Sequence, residues 1–242
     1  MIYNQQKRAC SSGMGHEAAG VKGRDLVVFR RDYLLRMMEE MTEAVGAALG
    51  LRQQNRHTEA LARLDELLKK RFRLSLPLLE SLPPEQIIDL FRMGGAVEVD
   101  KLQQASRLLE EAGRTRQDMG EPDQGLQLLM KALHLYVYSA LNGASMEPLR
   151  LPERIAAVHE QVREYLLPLE LDQLLAAYFE REGMYAQADE IWFDLGVKQK
   201  PLLHEAVAFY DRLLQRPDDE LERGGLSRTE AEQGKEELLQ LE

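Results

Sequence analysis

Histidine can bind a metal ion or act as an acid or base in catalysis, so the spacing of the histidines shows which of these roles the chain could support. The five histidines are His16, His57, His134, His159 and His204. None belongs to a His-Glu-x-x-His zinc motif, and none follows a glutamate by three residues, as in helical di-iron sites. The sequence therefore predicts no metal site, no bound cofactor and no catalytic set, and we expect a protein that is not an enzyme.

One basic cluster is the clearest candidate for contact with an anion. It consists of Lys69, Lys70, Arg71 and Arg73. These side chains could contact RNA or a phosphate, but cations also complement the dipole at a helix C-terminus. The formal net charge of −10 argues against nucleic acid as the main partner. Six of those ten units lie in residues 217–242, so the rest of the chain is only mildly acidic.

Composition narrows the class of protein further. Of the 242 residues, 44% are hydrophobic and 30% are charged, which is typical of an ordinary globular protein. The single Cys excludes a disulfide framework. No apolar run is long enough to span a bilayer, and no secretory signal precedes the body of the chain. We therefore expect a cytoplasmic protein without a membrane partner.

Apolar residues recur at spacings of three and four along nearly the whole chain after residue 28, which indicates amphipathic helices. Pro and Gly residues separate these stripes at short intervals. No segment alternates with the period of two that is typical of a strand. The sequence predicts an all-α chain of about ten helices, with most neighbours antiparallel because their connections are short.

Local signals predict where several of these helices begin and end. Ser81 precedes two prolines, which predicts a helix start with Ser81 as a candidate cap, and that helix is expected to end at Gly94-Gly95. Ser227 has a glutamate, Glu230, three residues later. This spacing predicts a capping box before the last helix.

Three segments share a pattern that suggests an internal repeat. Each has a turn residue, a small residue five positions later, and apolar residues four and seven positions after that. The sets are Asn55, Ala60, Leu64 and Leu67; Gly120, Gly125, Leu129 and Ala132; and Gly183, Ala188, Trp192 and Leu195. The small residue would let the second helix of a hairpin approach the first closely.

This pattern resembles the tetratricopeptide repeat. The pairs Ala112-Gly113 and Leu175-Ala176 fit the first helix of that repeat, whereas Arg116 replaces its aromatic residue. The anchors also recur at about twice the repeat's 34-residue period. The resemblance implies antiparallel helical hairpins stacked as a right-handed solenoid, and a compact helical bundle is the alternative.

A solenoid of this kind would bind a peptide in the groove lined by its first helices. The groove residues selected by the pattern are Arg107, Arg114, Gln117, Gln173 and Glu180. The two arginines could hold a carboxylate or a phosphate of a peptide. We therefore expect a protein or peptide interaction module. A small-ligand or enzyme pocket between helices is one alternative, and RNA binding through residues 69–73 is another.

Several longer stretches carry a resemblance that covers nearly everything except residues 1–27. They are residues 31–41 (RDYLLRMMEEM), 64–68, 91–95, 131–136, 209–214, 217–221 and 224–226. In these stretches the chain resembles an uncharacterised bacterial family, a domain-of-unknown-function group of Bacillus-type organisms. The resemblance implies an all-helical fold, and it implies neither an activity nor any site residue.

The first 27 residues differ from the rest because they are rich in glycine and lack helical periodicity. We expect a disordered tail there. An alternative hypothesis is that translation begins at Val28 from a GUG codon, because the codons of Lys22-Gly23-Arg24 can resemble a ribosome-binding site. Residues 28–216 are then predicted to form the helical-repeat domain, and residues 217–242 an acidic helical segment packed on or flanking it.

The first helix offers a candidate surface for a homodimer. Its apolar face is formed by Phe29, Tyr33, Met37, Met38 and Met41. Methionine-rich faces adapt to varied partners, and a helix at the end of a stack has one uncovered side. The sequence thus leaves dimerisation through this helix as a hypothesis.

Overall fold

The computed structural model of this chain describes residues 42–43, 45–147 and 149–241. The predicted tail and alternative start in residues 1–27 lie outside this range. The same holds for the apolar face of the first predicted helix, on which the dimer hypothesis depends.

The described residues form twelve helices and one short hairpin, so the prediction of an all-α fold is confirmed. The first half contains α1 (residues 45–53), α2 (His57–Phe72), α3 (Leu76–Ser81), α4 (Pro84–Leu90), β1 (Arg92–Met93), β2 (Ala96–Val97), α5 (Val99–Asp118) and α6 (Pro122–Leu141). The second half contains α7 (Leu151–Val162), α8 (Leu169–Arg181), α9 (Tyr185–Lys198), a 3₁₀ turn (Lys200–Leu202), α10 (Leu203–Leu213), α11 (Asp218–Arg223) and α12 (Arg228–Leu239).

The prediction that a helix ends at Gly94-Gly95 is wrong. The helix ends at Leu90, and the two glycines form the turn of an antiparallel hairpin in which Arg92 pairs with Val97. Both glycines have positive φ, at 59° and 88°, as a tight hairpin turn requires. Strands of two residues are too short to produce an alternating pattern, which is why the sequence did not reveal them.

The two predicted caps have different outcomes. Ser227 accepts a hydrogen bond from the backbone nitrogen of Glu230, whose carboxylate in turn accepts from the Ser227 backbone, so the capping box is confirmed. Ser81 is instead the last residue of α3, and its hydroxyl donates to the carbonyl of Leu78. Pro83 occupies the cap position of α4.

Helix α5 is the most enclosed helix of the fold. It packs against both α2 and α6, and every residue from 102 to 113 is buried. An amphipathic surface helix would leave its polar face in water, whereas α5 buries glutamine, serine, arginine and glutamate side chains together with its leucines. Its charged residues must therefore find partners within the protein.

Two glycines bring α5 and α6 into backbone contact near their connecting turn. A Cβ added to Gly125 would lie 2.7 Å from the carbonyl oxygen of Gly113, and one added to Gly113 would lie 2.9 Å from the carbonyl oxygen of Gly125. Neither backbone has room for a side chain. The packing role predicted for Gly125 is confirmed, and Ala60 and Ala188 are also completely buried.

Polar contacts join the opposite end of the same helix pair. Asp100, at the start of α5, accepts a hydrogen bond of 2.8 Å from the backbone nitrogen of Ser145, beyond the end of α6. The Gln103 amide donates to the carbonyl of Ser145 at 3.2 Å. The two helices are therefore held together by backbone contact between glycines at one end and by side-chain hydrogen bonds at the other.

Helices α8 to α12 form the C-terminal part of the described structure and pack against one another. Helix α9 packs against α8, α10 and α12, and Gly196 of α9 lies against the side chain of Leu238 of α12. The stacking of the hairpins as a right-handed solenoid stays a prediction, as does the alternative of a compact bundle.

We predict that Gly125→Ala lowers the free energy of unfolding by about 1–3 kcal/mol, because the new methyl group forces α5 and α6 apart. Urea unfolding followed by circular dichroism measures this change. Gln124→Ala is the matched control, since Gln124 is exposed in the same turn of α6. Equal stability of the two variants would contradict the close contact.

Candidate functional site

A network of charged side chains surrounds Glu110 on α5. Glu110, Glu111 and Arg114 follow Arg107 by three, four and seven residues and so lie on the same face of this helix as Arg107. The Glu110 side chain is only 2% exposed. Its carboxylate contacts Arg107 at 3.3 Å and Arg114 at 3.0 Å, so one buried anion lies between two cations of its own helix.

Two other helices also contribute to the Glu110 site. The hydroxyl of Tyr136, on α6, donates to the Glu110 carboxylate at 2.8 Å. Arg154, on α7, donates to the same carboxylate oxygen at 3.2 Å and uses its Nε to donate to the carbonyl of Leu149. Glu110 therefore connects α5, α6 and α7 through charge-assisted hydrogen bonds.

Glu111 forms a second buried junction one residue further along α5. It accepts a hydrogen bond from Arg107 and another, of 3.2 Å, from Arg52 of α1. Arg52 also contacts Asp118 at 3.0 Å. The cluster thus extends from α1 to α7.

Burial and charge have opposing effects on the Arg107 guanidinium. Burial lowers the pKa of Arg107, but the Glu110 and Glu111 carboxylates outweigh it, so the pKa lies above its usual value. Burial also raises the pKa of Tyr136 well above its usual value, with a further contribution from Glu110. Tyr136 is therefore a neutral hydrogen-bond donor, and Arg107 stays charged.

The network borders a pocket of about 280 Å³, which we call the arginine pocket. It is lined by Arg107, Glu110, Arg114, Leu149, Arg150, Glu153, Arg154 and Ala157. Its four guanidinium groups face the two carboxylates of the lining, and Arg107 also pairs with Glu111 behind it, which leaves a surplus of one positive charge among the described residues. The arrangement is suited to an incoming anion.

The four arginines of the pocket differ in their exposure. The side chain of Arg107 is 9% exposed, whereas those of Arg114 and Arg154 are 31% and 29% exposed. Arg150 is 78% exposed, and its one ion pair among the described residues is with Glu153, at 3.2 Å. The Nε atom of Arg114 is buried and has no hydrogen-bond partner among the described residues. A ligand would therefore meet Arg150, Arg154 and Arg114 before Arg107.

The structure brings together only part of the groove predicted from the sequence. Arg107 and Arg114 line the same pocket. Gln117 is exposed near the end of α5, Gln173 is half-buried on α8, and Glu180 is held by Arg212 through two hydrogen bonds of 2.7 Å. None of these three lines the arginine pocket.

Two of the four arginines of the pocket were not predicted from the sequence. Arg150 and Arg154 are four residues apart at the beginning of α7, a spacing that places them on one side of that helix start. That spacing was the available signal. It does not reveal that α7 lies beside Glu110, which is more than forty positions away in the chain.

The basic cluster of residues 69–73 ends α2. Lys69 pairs with Asp65, one turn earlier, while Lys70 is exposed. Arg73 adopts the left-handed conformation with φ of 58°, and its backbone nitrogen donates to the carbonyl of Lys69. The cluster therefore lies where cations complement a helix C-terminus, the position that the alternative explanation predicts.

A second depression, which we call the acidic groove, lies beside α7, α8 and α9. Its volume is about 920 Å³. Its carboxylates belong to Glu160, Glu164, Asp172, Asp189, Glu190 and Asp194. Burial raises the pKa of Asp172 to about 6, and the Asp194 carboxylate adds to this effect while Lys198 opposes it.

The described residues contain no group of three or more histidine, cysteine or acidic side chains placed to hold a metal ion. Within the same part of the chain, no helix is long and apolar enough to cross a membrane.

Comparison with known proteins identifies a family. The family described as "Family of unknown function (DUF6483)" matches residues 28–242, well over half of the chain. No curated protein matches the chain, and no solved structure does. The site must therefore be interpreted from its own geometry.

We predict that Glu110→Ala lowers the free energy of unfolding by about 3 kcal/mol, because it leaves buried guanidinium groups without their anion. Chemical denaturation measures this loss. Glu66→Ala is the control, since Glu66 is exposed and forms a surface ion pair with Arg63. The central role of Glu110 would be contradicted if both variants unfolded at the same denaturant concentration.

A second prediction concerns the dependence of stability on pH. Asp172 binds its proton more tightly in the folded chain, where its pKa is about 6, than at its ordinary value of 3.8. Its contribution to stability is therefore greatest at low pH and falls as the pH rises through 6. Asp172→Asn should raise the free energy of unfolding at pH 8 by about 1 kcal/mol, since partial exposure reduces the effect, and should change it little at pH 4.

Thermal unfolding at these two pH values tests this expectation. The control is Glu232→Gln, which alters an exposed carboxylate on α12. An equal effect of Asp172→Asn at both pH values would show that Asp172 is not the group responsible.

Proposed function

The chain belongs to the family of unknown function DUF6483, and we propose that it is a non-enzymatic interaction module that binds an anionic group of a partner protein or peptide. The arginine pocket would receive that group, which is a carboxylate or a phosphate. The observation that carries the proposal is a pocket formed by four arginines that only three carboxylates, Glu110, Glu111 and Glu153, balance among the described residues.

The fixed orientation of the arginines supports this function. Glu110 contacts Arg107, Arg114 and Arg154, so these cations are oriented before any ligand arrives. A site whose side chains are already ordered loses less conformational entropy on binding. Glu110 nevertheless leaves part of the charge uncompensated, because Arg114 and Arg154 share its carboxylate while Arg107 also pairs with Glu111.

The size of the pocket favours a single side chain over a larger ligand. Its volume of about 280 Å³ lies just below the lower end of the range of about 300–1,000 Å³ that is typical of small-molecule sites. A phosphoserine, glutamate or aspartate side chain is of suitable size. This favours peptide recognition over the alternative of a small-ligand or enzyme pocket between helices.

The finer expectations from the sequence belong to the same proposal. They are the tetratricopeptide-like stacking of the hairpins, the Bacillus-type origin of the family and a cytoplasmic location. Interaction modules built from helical hairpins commonly present extended surfaces to peptides.

The proposal predicts a preference for doubly charged anions. A labelled Gly-Ala peptide with one central phosphoserine should bind more tightly than the same peptide with Glu, and the version with Ser should bind least. Fluorescence anisotropy at moderate salt gives the three dissociation constants. Equal affinity for all three peptides would refute anion recognition.

Variants of two exposed arginines localise the binding. Arg150→Gln should weaken binding of the phosphoserine peptide about tenfold, which is the loss of one charge-assisted hydrogen bond. Arg223→Gln is the matched control, because Arg223 is 75% exposed, pairs with Asp219 four residues earlier and lies outside the pocket. Identical effects of the two substitutions would place binding elsewhere.

A further inference from the structure

Two exposed apolar side chains mark a second surface, distinct from the arginine pocket. Leu166 is 93% exposed and Tyr165 is 54% exposed, in the segment that joins α7 to α8. Leu166 is the most exposed of the large hydrophobic residues among the described residues. Both residues line the acidic groove.

The apolar surface continues from these two residues into the groove. The lining includes Ile191 and Phe193 of α9, which are partly exposed, and the edge of Phe179 of α8, which is only 4% exposed. The imidazole of His159 lies edge-on to the ring of Phe179, with 5.4 Å between their centroids. The groove therefore offers a hydrophobic surface on which a partner's apolar side chain can be buried.

The charge around this apolar surface is strongly negative. Six carboxylates face two cations, Arg163 and Lys198. Both cations are already engaged, since Arg163 pairs with Glu160 and Glu164, and Lys198 pairs with Asp194 at 2.7 Å.

Three carboxylates of the groove lack a cationic partner within the described part of the chain. They are Asp172, Asp189 and Glu190. Asp189 accepts a hydrogen bond of 2.6 Å from the hydroxyl of Tyr210, a neutral donor that leaves its charge in place. The uncompensated charge of the groove therefore calls for cations from outside the chain.

We propose that the acidic groove binds an amphipathic, cationic segment of a partner protein. An apolar side chain of that segment contacts Tyr165 and Leu166, and its Lys or Arg residues pair with Asp172, Asp189 and Glu190. The charge of the groove selects this occupant over an acidic one, because an acidic segment would bring like charges together. A second copy of this chain that met this groove with its own is disfavoured, because six carboxylates would then face six others. This surface and its charge are independent of the function proposed for the arginine pocket.

A labelled amphipathic helical peptide built only from Leu and Lys serves as the probe. Wild-type protein should bind it with an affinity that falls as salt rises, and the matched peptide of Leu and Glu should not bind. Leu166→Ser should weaken binding about tenfold while leaving every charge of the groove in place. The side chain is almost wholly exposed, so the variant keeps its fold.

Two variants control for general effects of substitution. Leu241→Ser removes another exposed leucine, which is 47% exposed and lies outside the groove, and it should bind as wild type does. Arg150→Gln should also leave binding of the Leu-Lys peptide unchanged, and this separates the groove from the arginine pocket.

Two results would overturn the proposal. One is equal affinity of Leu166→Ser and Leu241→Ser for the Leu-Lys peptide, which would show that charge alone attracts the probe. The other comes from sedimentation velocity: a wild-type dimer that Leu166→Ser converts to a monomer would show that a second copy covers Leu166.

Discussion

The buried carboxylate of Glu110 is the constraint on which much of the described structure depends. Helix α5 is buried from residue 102 to residue 113, so water has little access to the Glu110 carboxylate. An isolated carboxylate in such a position would cost several kcal/mol. Hydrogen bonds and ion pairs from three helices offset that free-energy cost. They come from Tyr136, Arg107, Arg114 and Arg154. Core packing and the arginine pocket are therefore two aspects of the same arrangement.

The helices were predictable because their signals are local. Apolar periodicity, prolines and glycines lie within a few residues of the elements that they specify, and the capping box of Ser227 is read from four residues. The small residue at position 125 also predicts a close helix–helix contact, although the sequence does not identify Gly113 as the residue that Gly125 meets. The hairpin at residues 92–97 was missed because its strands are shorter than any recognisable period.

The site was predictable only where its residues share one helix. Spacing along α5 places Arg107 and Arg114 on one face, but it does not tell which helix covers that face. The groove predicted there is open, whereas in the structure Arg150 and Arg154, at the start of α7, add two arginines and Tyr136 adds a hydroxyl. Such partners lie tens of residues away, and their meeting depends on tertiary packing. The chain's net charge was similarly uninformative, because charge acts locally over a Debye length of about 10 Å.

The contact between Gly113 and Gly125 has a mechanical consequence for the α5–α6 pair. Main-chain atoms meet there, so the distance between the helices at their turn is independent of side-chain size. At the far end the two helices are joined instead through the side chains of Asp100 and Gln103, which hydrogen-bond to Ser145. Side chains can change rotamer, whereas two backbones in contact cannot move closer. We therefore expect a change of volume among the leucines between the helices to be accommodated at the far end and not at the turn.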